Sequence, residues 1–104
     1  IYYERLCGNN NIFMFRSTDK DWIPWFIDIF IECPIKLKEY LKENNIGTRL
    51  VYPPIHTQKV YSEYNNESFP ITEKYSSMGL WLPSSTNLTN EQINYVCDKI
   101  LEFY

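Results

Sequence analysis

Asn45-Ile46-Gly47-Thr48-Arg49-Leu50-Val51-Tyr52-Pro53-Pro54-Ile55-His56-Thr57-Gln58-Lys59-Val60-Tyr61 is the stretch on which the fold turns, and it holds the only histidine of the chain. Gly47 is a helix stop. Arg49 to Tyr52 reads as a short strand, and Pro53-Pro54 ends it, because two successive residues without a backbone N–H cannot continue a ladder. The chain then leaves the sheet carrying His56, Gln58, Lys59 and Tyr61. A guanidinium at one end of a short strand and an imidazole beyond the other present a cation and a neutral donor or acceptor to an anionic, hydroxyl-bearing ligand. The bland alternative is a strand-end loop whose arginine pairs with a surface carboxylate.

Upstream, Asn44-Asn45-Ile46-Gly47 closes a helix in the manner of a glycine C-cap, with Ile46 tucked back on the last turn. That helix starts at Pro34, where a missing N–H does no harm. Its apolar stripe is Leu37, Tyr40 and Leu41, with Lys36, Lys38, Glu39, Lys42 and Glu43 toward solvent. Before it, Trp25 to Ile31 is the strongest strand candidate: Trp25, Ile27, Ile29 and Ile31 make one apolar face, and Phe26, Asp28 and Phe30 the other. Asp28 either lines a site or bonds a neighbouring loop. Ser17 to Asp21 is a polar turn or hairpin loop, and Ile12 to Arg16 a short apolar strand after the Gly8–Asn11 turn. Ile1 to Leu6 has the pattern of a helix already under way, the expectation for a piece of something larger.

Downstream, Ser62 to Ser68 is a polar loop, and a short helix runs from Phe69-Pro70-Ile71 through Tyr75 toward Met78, where Gly79 breaks it. Leu80-Trp81-Leu82-Pro83 is a brief strand, and Ser84 to Asn87 a loop. Thr89 followed three residues later by Gln92 is a capping box. Ile93, Val96, Cys97, Ile100, Leu101 and Tyr104 then recur at helical spacing. The expected fold is α+β: one domain over residues 1–104, a small antiparallel sheet with helices packed on one face.

At 104 residues the chain is one domain long, and 17% of it is aromatic, which suits a core that runs on into an interface or pocket. A net charge of −3 with no basic face argues against nucleic acid. Cys7, Cys33 and Cys97 are odd in number and widely separated, so neither a disulfide framework nor a zinc site is indicated, and a reducing, cytoplasmic setting is expected. No run approaches membrane-spanning length. The Asn66-Glu67-Ser68 and Asn87-Leu88-Thr89 triplets arise readily by chance in so asparagine-rich a chain.

No Gly-rich phosphate loop, nucleophile elbow or His-Cys pairing is present, so no residue is assigned a catalytic role. The blocks Gly47-Thr48-Arg49, Tyr52-Pro53-Pro54-Ile55-His56-Thr57-Gln58-Lys59-Val60-Tyr61, Phe69-Pro70-Ile71-Thr72-Glu73-Lys74, Leu80-Trp81-Leu82-Pro83 and Leu88-Thr89-Asn90-Glu91-Gln92-Ile93 resemble the C-terminal domain of the DegT/DnrJ/EryC1/StrS sugar aminotransferases, from about Trp22 to the C-terminus. Ile23-Pro24-Trp25-Phe26 is most like the perosamine- and viosamine-forming enzymes of polysaccharide biosynthesis.

The resemblance implies the small domain of a fold-type I enzyme that uses pyridoxal phosphate to move an amino group, usually from glutamate, onto a nucleotide-linked keto-deoxysugar. It implies a large domain bearing the Schiff-base lysine, and a homodimer. Lys59 is not assigned that role, because its loop offers no apolar surroundings to lower its pKa. What carries over is a place at the active-site rim, with Arg49 and His56 as substrate-binding candidates and Tyr52 and Trp25 behind them. The rival reading is a non-catalytic nucleotide-sugar-binding or interaction module derived from that family. An aromatic-sheet RNA module lacks the basic strand signature it would need.

Overall fold

The computed structural model describes residues 1–19 and 21–104. A three-stranded antiparallel sheet is built from β1 (Ile27–Phe30), β2 (Arg49–Leu50) and β3 (Gly79–Leu82) in the order β1-β3-β2. The helices are α1 (Tyr2–Leu6), α2 (Pro34–Glu43), α3 (Pro70–Met78) and α4 (Asn90–Phe103), and two 3-10 turns, Ile55–Thr57 and Lys59–Tyr64, follow β2. The α+β class and the small antiparallel sheet are as expected, with α1, α2 and α4 on one face; α3 meets the other.

The register divides the sheet into two rows, because successive side chains on a strand point to opposite faces. Ile29 and Leu50 both stand opposite Leu80, and Asp28 and Arg49 both stand opposite Trp81. Ile29, Leu80 and Leu82 are buried and meet Leu37 and Leu41 of α2, Val96, Cys97 and Ile100 of α4 and Leu6 of α1 in one core. Burial at about 25 cal/mol per Å² of apolar surface is what holds this layer together. Tyr2 of α1 is buried and donates its hydroxyl to the Pro83 carbonyl at 3.0 Å, while Arg5 donates to Asn94 Oδ1 at 2.9 Å and to Asp98 at 2.5 Å, fastening α1 to α4. On the opposite face α3 contributes Tyr75, whose ring meets Phe30, Phe13 and Phe15 at 5.1 to 6.0 Å.

The capping box is formed: the Gln92 N–H donates to Thr89 Oγ1 at 3.2 Å, and the Thr89 N–H to Gln92 Oε1 at 2.9 Å. Pro34 opens α2 at its first position. Its C-terminal signal falls elsewhere than expected. Asn45, not Gly47, takes the left-handed conformation (φ 61°), and the Ile46 N–H reaches back to the Leu41 carbonyl at 2.8 Å while that of Asn45 reaches Lys42 at 3.0 Å. This pair of bonds is the Schellman motif, with buried Ile46 as its apolar contact. Asparagine tolerates that conformation, so Gly47 is not needed for it.

Further strand expectations change, and β2 itself ends at Leu50, short of the expected Tyr52. The strand expected at Ile12–Arg16 is a single bridge, Phe13 to Phe30, on the outer edge of β1. The strand expected from Trp25 begins only at Ile27, and Trp25 is 85% exposed instead of sharing the buried face of Ile29 and Ile31. Gly79 is extended (φ −80°), so it serves as the first residue of β3: a Cβ there would lie 2.8 Å from Val51 Cβ and 3.2 Å from the Tyr75 carbonyl oxygen. The helix ends at Met78 as expected, and the close approach of Val51, just past β2, is what requires glycine there. The loop expected over Ser17–Asp21 includes Lys20, which lies outside the described residues. Beside it, Asp19 Oδ1 accepts from the Asp21 N–H at 2.9 Å.

Candidate functional site

The sheet face turned away from the core carries a continuous row of side chains drawn from three separated segments. Arg49 of β2 lays its guanidinium over the Tyr52 ring, 4.8 Å from the centroid. Tyr52 meets Trp81 edge-on at 4.8 Å, and Trp81 stacks flat on Phe26 at 4.0 Å with 5° between the planes. Trp25 closes the row against Phe26 at 6.2 Å. Three of the four residues singled out from the sequence, Arg49, Tyr52 and Trp25, therefore share one surface.

Strand pleating explains the row. Leu80 and Leu82 point into the core, so Trp81 between them must point out, and its neighbours across the ladder are Asp28 and Arg49. With strands about 4.8 Å apart, Asp28 and Arg49 stand on either side of the indole, and no ion pair joins them. Among the described residues Arg49 has no carboxylate within ion-pair distance. A guanidinium braced on an aromatic face, exposed and without a carboxylate partner, is suited to an anionic group of a ligand. Partial burial pushes the Asp28 carboxyl up from the ordinary carboxylate range, opposed by the Trp81 side chain.

His56 stands apart from this row. It lies in the Ile55–Thr57 turn, is 9% exposed, and its Nε2 is 3.1 Å from Glu73 Oε1 at the start of α3. Its ring packs against that of Phe69 at 4.9 Å. His56 also lines a groove of about 430 Å³ with Ile55, Tyr61, Tyr64, Glu67, Phe69 and Thr72.

Trp81, Phe26 and Glu73 were not singled out by sequence reasoning. The alternation Leu80-Trp81-Leu82 contains the signal for Trp81, but only the cross-strand register reveals what it touches. Among the described residues no three of His, Cys, Asp and Glu are grouped to hold a metal, and no helix is long and apolar enough to cross a membrane.

The side chains present do not fit pyridoxal phosphate. A Schiff-base lysine needs a desolvated pocket, whereas no described lysine is buried and Lys59 is exposed on its 3-10 turn.

The chain matches the DegT/DnrJ/EryC1/StrS aminotransferase family over residues 2–101, which extends the resemblance upstream from Trp22 into α1. It is 44% identical over 106 residues to the dTDP-3-amino-3,6-dideoxy-alpha-D-galactopyranose transaminase of Aneurinibacillus thermoaerophilus, an alignment covering 95% of this chain and 28% of that one. With the GDP-perosamine synthase of Escherichia coli O157:H7 it shares 42% identity over 69 residues, 66% of this chain and 19% of the relative. The solved structure of S. venezuelae DesV in complex with a ketimine intermediate superposes with a TM-score of 0.85 at 25% identity, covering 98% of this chain and 29% of that one. The chain thus spans less than a third of the length of these relatives.

Proposed function

The chain belongs to the DegT/DnrJ/EryC1/StrS aminotransferase family, and from that premise we propose that it is the C-terminal small domain of a sugar-nucleotide aminotransferase, supplying one wall of the substrate site. The observation that carries this reading is the Arg49–Tyr52–Trp81–Phe26–Trp25 row: a cation without a carboxylate partner at one end and exposed aromatic surface at the other. In the complete enzyme, pyridoxal phosphate held by the large domain supplies the amino-transfer chemistry. Arg49 binds an anionic oxygen of the nucleotide sugar and Tyr52 holds the guanidinium in place. Trp25 and His56 belong to the rim. Amino donation from glutamate and a keto-deoxysugar acceptor are part of the same reading.

The apolar surface next to the row supports the presence of a covering domain. Ile23 is 88% exposed and Trp22 beside it 53%, an apolar pair suited to cover by another domain. The large domain of the same chain or of its homodimer partner covers them. A monodisperse 104-residue monomer with no tendency to self-associate would favour the binding-module reading instead.

Arg49→Ala in the complete enzyme is the test. Losing a charge-assisted hydrogen bond is worth about 1.5–3 kcal/mol, so KM for the nucleotide sugar rises about 10- to 100-fold while cofactor binding is retained. Unchanged kinetics would remove Arg49 from the site.

A further inference from the structure

Glu73 Oε1 has two partners at once. It accepts the Phe69 backbone N–H at 3.1 Å and lies 3.1 Å from His56 Nε2. The first bond serves the helix: Phe69 is the N-cap of α3, offers no side-chain cap itself, and is followed by a proline without an N–H. The second reaches 17 residues back along the chain to the turn after Pro53-Pro54. With Phe69 against its face and Glu73 against its edge, the imidazole is held on two sides.

We infer that Glu73 is a positioning residue: its carboxylate fixes the tautomer and orientation of His56, so that Nδ1 becomes the pole offered to a hydroxyl of the sugar nucleotide. This inference rests on the substrate-side place given to His56 above. An ionised carboxylate only accepts hydrogen bonds, so the proton of the neutral ring sits on Nε2 and the Nδ1 lone pair is left free. Among the described residues Nδ1 has no partner, and the one buried polar side-chain atom without a partner is Thr48 Oγ1. Nδ1 is thus not among the buried atoms left without a partner, and His56 lines the groove beside α3.

The test uses the full-length enzyme, with GDP-perosamine and dTDP-3-amino-3,6-dideoxy-α-D-galactopyranose as amino-sugar substrates, and the variants His56→Ala, Glu73→Gln, Glu73→Asp and the double variant His56→Ala/Glu73→Gln. Glutamine keeps an acceptor for the Phe69 N–H, but its amide can also donate to Nε2 and release the tautomer. The expected result is a KM for the sugar raised about tenfold in Glu73→Gln with kcat changed less than about twofold, and no further rise when the same change is made in His56→Ala. Glu73→Asp, which keeps the acceptor-only carboxylate, recovers part of the loss. An effect that adds to that of His56→Ala, or a matching loss in the half-reaction with glutamate, which does not involve the sugar, would make Glu73 a helix cap only and overturn the inference. If His56→Ala raises KM and Glu73→Gln does not, the inference fails while the substrate-side place of His56 stands. If His56→Ala leaves KM unaltered, that place falls and the inference with it.

Discussion

The two rows that cross the sheet use the same three strands, one residue apart, and have opposite fates. Ile29–Leu80–Leu50 faces α2 and α4, and its central leucine is fully buried. Asp28–Trp81–Arg49 faces away, with a carboxyl, an indole and a guanidinium where the first row has only hydrocarbon. The first is completed by helices of this chain. The second is covered only by the rings of Phe26 and Tyr52 from the flanking segments, and its cation is left exposed. The difference teaches that the stability of the domain and its proposed work are assigned to opposite faces of the same backbone, so each can be altered with little effect on the other.

Truncating the inner row has the largest expected effect. Leu80→Ala opens a cavity where helices from both sequence flanks meet, and should cost about 2–5 kcal/mol in urea denaturation. Its neighbour sharpens the comparison: Trp81→Ala removes a stacked ring on the outer face, not a core side chain, and the loss expected is about 1 kcal/mol. Equal losses at Leu80 and Trp81 would break the division between the faces.

The smallest effect has the opposite sign. Asp28 is held above the ordinary carboxylate range by partial burial, so the folded chain binds its proton more tightly than the unfolded chain does. Stability from this group is then fully present below the usual carboxylate range and is lost as pH rises through the folded value. Asp28→Asn removes that loss. The variant's melting temperature should lie slightly above that of the parent at pH 7, with the gap closing on acidification. A gap that widens toward low pH would show that the ionised carboxylate is the favoured form on this face.

Much of the fold is local and therefore legible. The α4 stripe, the Thr89–Gln92 box and Pro34 at the start of α2 depend on residues three or four apart, and α2 and α4 follow from them. The close of α2 was half legible. Ile46 tucks back as its apolar character suggests, but the left-handed residue is Asn45, because the motif is set by where the last turn ends and not by where glycine stands. Trp25 fits the period-2 pattern of β1 and yet lies outside it, since pairing with β3 begins only at Ile27. Ile12–Arg16 is apolar enough for a strand but has one partner residue, Phe30, and so forms a bridge.

For the candidate site, the sequence by itself determined residue types and family: an arginine before Tyr-Pro-Pro, a single histidine after it, and blocks in the order of the aminotransferase family. Tertiary structure decided their grouping. It placed Arg49, Tyr52 and Trp25 on one face through Trp81 and Phe26, and drew His56 away to Glu73. The physical reason is range. Caps and periodicity act within a turn or a strand, whereas the register between β1, β3 and β2 joins segments more than 20 residues apart, and a one-residue slip would exchange Leu80 for Trp81 in the core.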